Sequence, residues 1–198
     1  MPVLLDLCSG LGGWSEAFVQ DESWKVIRID NSELVKHVPF TLAHDVNEWL
    51  DWVDGIPQPD LIVASPPCLE FSLAYSSPKS KAGREGRPFE ADMTIVESCM
   101  DIIRHFNPQW WCLENVIGSI ADIGPILGAP KQIHGPFVMW GTIPHLVDVD
   151  LPAGEKASKD VHSGNPLRAN LKAMIPFEIS FSLLRTWREQ RSLLEWNG

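Results

Sequence analysis

Short, mainly apolar runs alternate with amphipathic stretches along the first two-thirds of the chain. Val3–Leu7, Val26–Ile29 and Leu61–Ala64 are predicted to be buried strands, because most of their neighbouring positions are apolar. The spacing of apolar residues predicts helices from about Trp14 to Gln20 and over Asp92–Phe106. Strands that alternate with helices are typical of an α/β fold, with a mostly parallel central sheet and helices on both faces.

The rest of the chain is predicted to add two strands and a helical tail. Trp110–Leu113 forms a strand that ends in Glu114-Asn115, and Phe137–Trp140 forms a later one. Leu73–Pro88 and Leu151–Pro166 are polar and contain Gly and Pro, which indicates irregular loops. Helical spacing returns over Ile175–Trp196, where one side carries Ile179, Leu183, Trp187 and Leu194.

Length and composition indicate one globular domain. The 198 residues suffice for a single substantial core, and 44% of them are hydrophobic. No apolar run approaches the roughly 20 residues of a membrane span. The first residues lack the basic and apolar segments of a signal peptide. We therefore expect a cytoplasmic protein, from a bacterial, archaeal or phage-infected cell, that has no membrane partner.

The charge balance and the cysteines exclude some classes of function. The formal net charge is −10 and the pI is near 5.0, whereas a protein that grips long duplex DNA unaided usually has a basic face. The four cysteines contain no pair with zinc-type spacing, so neither a metal site nor a disulfide framework is expected. Cys99 and Cys112 lie in apolar stretches that are typical of a core.

A glycine-rich turn follows the first predicted strand. The run Asp6-Leu7-Cys8-Ser9-Gly10-Leu11-Gly12-Gly13 would let the backbone approach a ligand closely, although a structural turn is an equal alternative. Asp30 ends the second strand, at the position that hydrogen-bonds a ribose diol in Rossmann-like sheets. Because the run is not Gly-x-Gly-x-x-Gly, an adenosyl ligand other than a dinucleotide is favoured.

Two further strand ends carry candidate chemistry. Ser65-Pro66-Pro67-Cys68 places a thiol after a rigid proline pair, in the crevice where α/β sheets bind ligands. The alternative is a small buried thiol beside a turn. Leu113-Glu114-Asn115-Val116 places a carboxylate on the same sheet edge, where it could protonate a ring nitrogen of a base. The alternative there is a helix N-cap role for Asn115.

The order and spacing of these motifs resemble the DNA cytosine-C5 methyltransferase family. Asp6–Gly13 is similar to that family's cofactor-binding glycine motif, and Pro67-Cys68 with Phe71-Ser72 to its Pro-Cys-x-x-Phe-Ser element. Glu114-Asn115-Val116 is similar to its Glu-Asn-Val element, and Ala173-Met174-Ile175-Pro176 to its last motif. The resemblance spans roughly residues 3–141 and 168–188. It implies the Rossmann-like fold of S-adenosylmethionine-dependent methyltransferases.

The resemblance also implies a reaction, the transfer of a methyl group from S-adenosylmethionine to cytosine C5, which leaves S-adenosylhomocysteine. Cys68 would add to C6 of the ring and Glu114 would share a proton with N3, with Pro67 and Asn115 beside them. In a polymer the base must first leave the stack. The segment Leu73–Pro88 would then close over it. The side chains expected to meet the substrate there are Ser72, Lys79, Lys81, Arg84 and Arg87.

The cofactor would lie against the glycine turn and the neighbouring strand ends. By the resemblance, Asp30 fits the acid that binds the ribose, and Asp45 fits the acid near the adenine amino group. The residues that the resemblance assigns to the cofactor are Asp6, Cys8, Ser9, Gly10, Leu11, Gly12, Gly13, Asp30, Asn31, Asp45, Val46 and Pro66.

The chain departs from the family pattern in three places. Cys8 stands where the family usually has an aromatic that packs on the cofactor. The segment 128–136 corresponds to the family's Gln-x-Arg-x-Arg element but contains no arginine, and Lys131 or His134 could replace it only without the bidentate fork. A short connecting loop, residues 142–165, stands in place of a target-recognition domain. We therefore expect residues 1–198 to form a single catalytic domain.

These departures leave the substrate open. DNA is the expected partner, either single-stranded or with a partner subunit that supplies specificity. The alternatives are a catalytically weak cofactor-binding subunit, and methylation of RNA or of a free cytosine nucleotide. Ser65-Pro66-Pro67 is also similar to the Ser-Pro-Pro-aromatic signature of exocyclic amino methyltransferases, but Cys68 and Glu114 favour C5 chemistry.

Overall fold

A seven-stranded sheet forms the centre of the molecule. The computed structural model describes residues 1–149, 151 and 164–196, without the side chains of 191–196. Within this part the strands are β1 (Val3–Leu7), β2 (Lys25–Ile29), β3 (Thr41–Leu42), β4 (Leu61–Ala64), β5 (Trp110–Val116), β6 (Gln132–His134) and β7 (Phe137–Gly141). Their order is β3-β2-β1-β4-β5-β7-β6. Neighbours from β3 to β5 are parallel, whereas β7 is antiparallel to both β5 and β6.

Helices connect the strands and cover both faces of the sheet. The described α-helices are α1 (Glu16–Asp21), α2 (Pro78–Arg84), α3 (Thr94–Phe106), α4 (Ile120–Leu127), α5 (Arg168–Ala173) and α6 (Phe177–Trp196). On one face, Leu5 and Ile62 share a core with Ile102 of α3. On the other face, Leu4 shares a core with Leu183 of α6 and with α1. The strands are therefore apolar along most of their length, because neither face is left to solvent. The expected α/β, Rossmann-like fold is confirmed.

The segment predicted as the irregular loop Leu73–Pro88 contains α2, so that prediction was wrong in its middle. The local reason is a helix start that the sequence spells out, because Ser77 is the N-cap and Pro78 occupies the first turn. The Ser77 hydroxyl accepts a hydrogen bond from the backbone N–H of Ser80, and proline has no N–H to leave unpaired there. The middle of the segment is therefore regular rather than irregular.

Other element boundaries also differ from the expectation, two of them next to the motifs. Strand β5 does not end at Glu114-Asn115 but continues to Val116, because antiparallel β7 pairs with it as far as Phe137. Helix α1 begins at Glu16 rather than Trp14, since the glycine turn extends to Ser15. Most of the predicted loop Leu151–Pro166 and the side chain of Leu194 lie outside the described residues. None of the helices in the described ranges is long and apolar enough to cross a membrane.

Candidate active site

The carboxyl ends of β1, β4 and β5 bring the sequence motifs to one edge of the sheet. Parallel pairing sets Leu7 beside Ala64, and Ala64 beside Leu113. The residues that follow these three positions begin the glycine turn, the Ser-Pro-Pro-Cys segment and the Glu-Asn-Val segment. This edge of a parallel sheet is where α/β proteins bind ligands.

Cys68 lies in a tight turn that points the chain away from β4. Its backbone oxygen accepts hydrogen bonds from the N–H groups of Phe71, at 3.1 Å, and Ser72, at 2.9 Å. The Phe71 side chain is 1% exposed and anchors the turn in the core, while the Cys68 side chain is partly exposed. Burial and then the charge of Glu114 raise the pKa of the Cys68 thiol. Cys68 is therefore a thiol, not a thiolate, at neutral pH.

Asn115 joins β5 to the proline pair. Its side-chain amide donates to the backbone oxygen of Pro66 at 3.0 Å, and its side-chain oxygen accepts from the N–H of Val116. The residue is 1% exposed, so both contacts lie in the interior. Pro66 is buried, whereas Pro67 is exposed next to the thiol. Asn115 thus bridges two strand ends, and the helix N-cap alternative is wrong, since β5 continues past Asn115 to Val116.

Glu114 is a buried acid with one hydrogen-bond donor. Glu114 is 6% exposed, and its Oε2 accepts a hydrogen bond from the Ser65 hydroxyl at 2.9 Å. Burial raises the pKa of Glu114 to about 7, against a smaller lowering by the Ser65 hydrogen bond. Near neutral pH the acid is present both protonated and ionised. It can therefore give or take a proton there.

The glycine turn approaches the rest of the protein closely at two of its glycines. A Cβ on Gly12 would lie 2.3 Å from the Arg28 guanidinium carbon, and Gly12 has a φ of +78°. A Cβ on Gly13 would lie 2.5 Å from the backbone oxygen of Ile175. The segment Ala173-Met174-Ile175-Pro176 therefore packs against the turn, as its resemblance to the family's last motif implies.

Below this turn is a polar network that the sequence analysis did not find. Arg28 is 1% exposed and donates to Ser15 Oγ, to the backbone oxygen of Gly12 and to that of Pro39. Ser15 in turn donates to Asp6 Oδ2 at 2.6 Å. Burial raises the pKa of Asp6 to about 7, while the Ser15 hydrogen bond and Arg28 lower it. An arginine within an apolar strand is the only signal in the sequence that points to this network.

Polar groups of the turn and the next strand end remain available to a ligand. Asp6 Oδ1 and Ser9 Oγ are buried and have no hydrogen-bond partner among the described residues. Asp30 ties down the turn, because its Oδ2 accepts from the N–H of Gly10 at 2.8 Å and its Oδ1 from that of Ser32. Leu11, which follows Gly10, is partly exposed. A carboxylate has further lone pairs for ribose hydroxyls.

Asp45 lies beyond β3 and contacts the side chain of Asn31. Its Oδ2 accepts from Asn31 Nδ2 at 2.8 Å, and its Oδ1 caps the following 3₁₀ turn through the N–H of Asn47. Val46 is buried in the core. Asp30, Asn31 and Asp45 thus lie close to one another beyond the end of β2.

Cys8 replaces the family's aromatic and contacts a second thiol. Its Sγ lies 4.0 Å from Sγ of Cys99 on α3, and its backbone has a φ of 54°. The Cys99 contact and burial raise the pKa of Cys8 well above its ordinary value. Cys8 is a neutral thiol, and it offers a ligand a smaller surface than an aromatic ring.

The basic side chains of the predicted substrate segment are used in different ways. Lys79 donates to Asp122 Oδ2 at 2.5 Å and to the backbone oxygen of Gly118, so it holds α2 against α4 rather than offering a charge to phosphate. Arg87 pairs with Glu85. For these two residues the expected phosphate contact is not supported. The remaining members of that set are partly or fully exposed: Ser72, Lys81 and Arg84.

Arg84 stands over the single tyrosine of the chain. Its guanidinium carbon lies 3.8 Å from the centroid of the Tyr75 ring, and Tyr75 is 79% exposed. Such a pair offers both an aromatic face and a positive charge. Both are properties that unstacked nucleic-acid bases and their phosphates can use.

The hairpin of β6 and β7 contains no arginine. Gln132 is 8% exposed, and its Oε1 contacts His134 Nε2 at 2.9 Å and accepts from the N–H of Leu146. Burial and the nearby His145 lower the pKa of His134. Neither His134 nor the exposed Lys131 stands in for a bidentate guanidinium. The described residues contain no group of three or more His, Cys, Asp or Glu that could hold a metal ion.

Comparison with known proteins identifies the family. The model of the C-5 cytosine-specific DNA methylase family matches residues 3–121, which is more than half of the 198 residues. The chain belongs to the C-5 cytosine-specific DNA methylase family. The match contains the glycine turn, Cys68 and Glu114.

One curated relative of this methylase is the probable DNA (cytosine-5)-methyltransferase of Frog virus 3 (isolate Goorha). The two are 29% identical over 118 residues, which cover 57% of this chain and 52% of the relative. This chain therefore spans about half the length of that relative.

Two solved structures are similar to 71% of the methylase chain. A "putative DNA modification methyltransferase" encoded within an E. coli prophage has a TM-score of 0.45 and 13% identity, and 46% of it is covered. A Spodoptera frugiperda DNMT2 variant has a TM-score of 0.40 and 16% identity, and 49% of it is covered.

Proposed function

We propose that this protein transfers a methyl group from S-adenosylmethionine to C5 of cytosine in nucleic acid, through a covalent bond between Cys68 and the base. The observation that carries the proposal is the placement of a thiol and a buried acid at the ends of adjacent strands. Two hydrogen bonds link these ends, from Ser65 to Glu114 and from Asn115 to Pro66. Membership of the methylase family supports the same chemistry.

The residues around the glycine turn fit S-adenosylmethionine. Ser9 Oγ and Asp6 Oδ1 are buried without a partner, and they would face a polar ligand group in or beside the turn. Asp30 would hold the ribose hydroxyls, with Asn31 and Asp45 nearer the adenine. Cys8, Gly10, Leu11, Gly12 and Gly13 would supply the backbone surface, with Val46 and Pro66 at its edges. When bound, the cofactor supplies an electrophilic methyl group.

Cys68 and Glu114 act as a complementary pair in this proposal. Because the charge of Glu114 raises the pKa of Cys68, protonation of Glu114 favours the thiolate. The thiol proton of Cys68 passes to solvent, the sulfur bonds to C6 of cytosine, and the proton of Glu114 moves toward N3, so that C5 becomes electron-rich. After C5 has been methylated, loss of its proton expels the Cys68 thiolate and restores the aromatic ring.

DNA is the proposed substrate, with the target base outside the stack when it meets Cys68. Tyr75 and Arg84 support a single-stranded or locally opened substrate, since their exposed pair suits an unstacked base and its phosphate. The net charge of −10 disfavours unaided binding of a long duplex. A partner subunit would then supply sequence selectivity, with residues 1–198 acting as one catalytic domain and 142–165 as a short connection.

A second candidate is a cofactor-binding subunit with weak catalysis of its own. The hairpin of β6 and β7 favours it, because Gln132 and His134 bond to each other where the family has arginines that brace the base. The presence of both Cys68 and Glu114 argues for catalysis.

A transfer assay separates these candidates. The protein is incubated with labelled S-adenosylmethionine and, separately, with duplex DNA, single-stranded DNA, RNA or dCMP, and with a 5-fluorocytosine oligonucleotide that traps the adduct. We expect transfer to DNA, and a covalent adduct that disappears in Cys68→Ala. Methyl transfer that survives Cys68→Ala would overturn the mechanism. Cofactor binding without transfer or adduct would favour the subunit role.

A further inference from the structure

A chain of two hydrogen bonds runs from the glycine turn to the buried acid. The indole nitrogen of Trp14 donates to Ser65 Oγ at 2.9 Å, and Ser65 Oγ donates to Glu114 Oε2 at 2.9 Å. Trp14 is 2% exposed and Glu114 is 6% exposed, so water competes little for either bond. Trp14 directly follows Gly13 in the sequence. The two hydrogen bonds therefore connect the proposed cofactor turn with the acid of the proposed base site.

The chemistry of the three groups gives this chain one direction. An indole N–H can only donate, so Ser65 Oγ must use a lone pair for Trp14. A second lone pair of Ser65 Oγ remains, but among the described residues the hydroxyl proton has no hydrogen-bond acceptor other than Glu114 Oε2. Oε2 of Glu114 is therefore favoured as the acceptor in both protonation states of the acid, because a proton on Oε2 would leave the Ser65 hydroxyl without an acceptor. The acidic proton of Glu114 is therefore favoured on its other oxygen, Oε1.

Oε1 is the oxygen that is available to a ligand. It makes no hydrogen bond to any described residue, and it is not among the buried side-chain oxygens that lack a partner. It therefore retains contact with solvent, although the residue as a whole is buried. A ring nitrogen that reaches Glu114 would meet Oε1 and not Oε2.

We infer that Ser65 is a positioning residue that keeps the acidic proton of Glu114 on Oε1, and that the indole of Trp14 prevents the Ser65 hydroxyl from turning away. The use of that proton on cytosine N3 rests on the proposed function, whereas the orientation of the carboxyl group does not. Ser65, which lies in the segment Ala64-Ser65-Pro66-Pro67 at the end of β4, would thus orient the Glu114 carboxyl group as well as form part of the turn.

Few other groups near Glu114 could determine which of its carboxyl oxygens carries the proton. The titratable groups that feel its charge are the thiols of Cys68 and Cys112, whose pKa values burial and then that charge raise. Both thiols are neutral near pH 7 and make no hydrogen bond to the acid. Its partner on the neighbouring strand is Met139, which does not titrate. Ser65 is thus the one donor among the described residues.

Infrared titration of the protein in D₂O tests the inference without any need for activity. The carbonyl stretch of protonated Glu114, assigned by its loss in Glu114→Gln, reports both the pKa and the hydrogen bond to Oε2. In Ser65→Ala we expect the band to move to higher wavenumber, and the midpoint to rise by about one pH unit because a hydrogen bond to the ionised form is lost. Ser65→Thr should restore both. Trp14→Phe should broaden the band, since the Ser65 hydroxyl then has two orientations.

Ser182→Ala is the matched control, because it removes another buried hydroxyl, one that donates to the backbone oxygen of Val147 far along the chain from Glu114. It should change neither the band nor the midpoint. An unchanged band and midpoint in a folded Ser65→Ala or in a Ser65→Cys variant would overturn the inference. If the band moves as expected but the wild-type protein forms no adduct with 5-fluorocytosine DNA, the positioning role stands and the proposed function fails.

Discussion

The side-chain amide of Asn115 donates a hydrogen bond across 3.0 Å to the backbone oxygen of Pro66, two residues before Cys68. The isosteric change Asn115→Asp removes this donor and sets a carboxylate against a carbonyl oxygen. We expect adduct formation with 5-fluorocytosine DNA to slow by about tenfold to a hundredfold, as for the loss of one buried hydrogen bond. Cofactor affinity, measured by calorimetry, should change little. A normal adduct rate would show that the turn keeps its position without Asn115.

Glu114→Gln should separate thiol reactivity from methyl transfer. Removing the charge of Glu114 lowers the pKa of Cys68, because that charge contributes to its rise. We expect the pH midpoint of Cys68 alkylation by iodoacetamide, followed by peptide mass spectrometry, to move to lower pH. Methyl transfer should be lost, since glutamine has no acidic proton. The alkylation midpoint of Cys68 in the wild-type protein, measured in parallel, serves as the reference. An unmoved midpoint would mean that the two groups are not electrostatically coupled.

The two buried acids predict an unusual dependence of stability on pH. The pKa values of Asp6 and Glu114 are about 7 in the folded protein, against 3.8 and 4.5 ordinarily. Between about pH 4 and 7 the folded state therefore binds more protons, and the free energy of unfolding falls as the pH rises. Each acid contributes on the order of 3 kcal/mol to this fall. Chemical denaturation at a series of pH values measures it.

Asp6→Asn and Glu114→Gln should each flatten part of that pH dependence. Asp101→Asn is the control, because Asp101 is an exposed acid in an ion pair with Arg104. Stability that rises from pH 4.5 to 7 in the wild-type protein would contradict the raised pKa values.

Substitutions of Lys79 and Lys81 should have different effects, one on stability and the other on DNA binding, although the two residues lie two positions apart on α2. Lys79→Met breaks the partly buried pair with Asp122, each side chain being 22% exposed, and should lower the free energy of unfolding by on the order of 1 kcal/mol. Lys81→Met should leave stability unchanged and weaken binding of single-stranded DNA. The slope of log affinity against log salt should fall by about 0.7 if Lys81 contacts one phosphate. An equal loss of DNA affinity in both folded variants would argue against this division.

Gly13→Ala should damage the cofactor turn through packing alone. The added Cβ would lie 2.5 Å from the backbone oxygen of Ile175, which is too close to accept without a backbone shift. We expect a loss of about 1–3 kcal/mol in unfolding free energy and weaker cofactor binding. Gly55→Ala is the matched control, since nothing lies within 4 Å of its added Cβ. Thermal denaturation and calorimetry of both variants decide the matter; equal effects would exclude the contact as the cause.

The sheet and its functional edge could be predicted because their signals are local. Apolar runs located β1, β2, β4 and most of β5, and the motifs follow directly from those strands. Since parallel strands align their carboxyl ends, the turn, Cys68 and Glu114 could be expected on one edge. The helix α2 was missed for a different reason, because its short cap at Ser77-Pro78 lies within a stretch that otherwise has the composition of a loop.

The polar contacts of the site could not be predicted, because each joins residues that are distant in the sequence. Arg28 lies in an apolar strand and finds its partners only when the glycine turn folds over it. Lys79 was expected to contact the substrate. It pairs instead with Asp122, 43 residues away, so its charge is already neutralised within the protein. The role of Ser65 could not be predicted, because it depends on hydrogen bonds to the indole of Trp14 and the acid of Glu114, both of which are distant from it in the sequence.

The contact between α1 and α6 affects how early during synthesis the protein can bind its cofactor. Ser180 donates to the backbone oxygen of Trp14 and accepts from the N–H of Ala17, across 166 and 163 residues. The glycine turn thus leaves the ribosome well before residues 175–180, on which its packing depends. A nascent chain that ends before them holds every residue of the matched segment 3–121 and still lacks the support of its cofactor turn. Ribosome-bound chains of increasing length should therefore acquire cofactor binding in one late step rather than gradually.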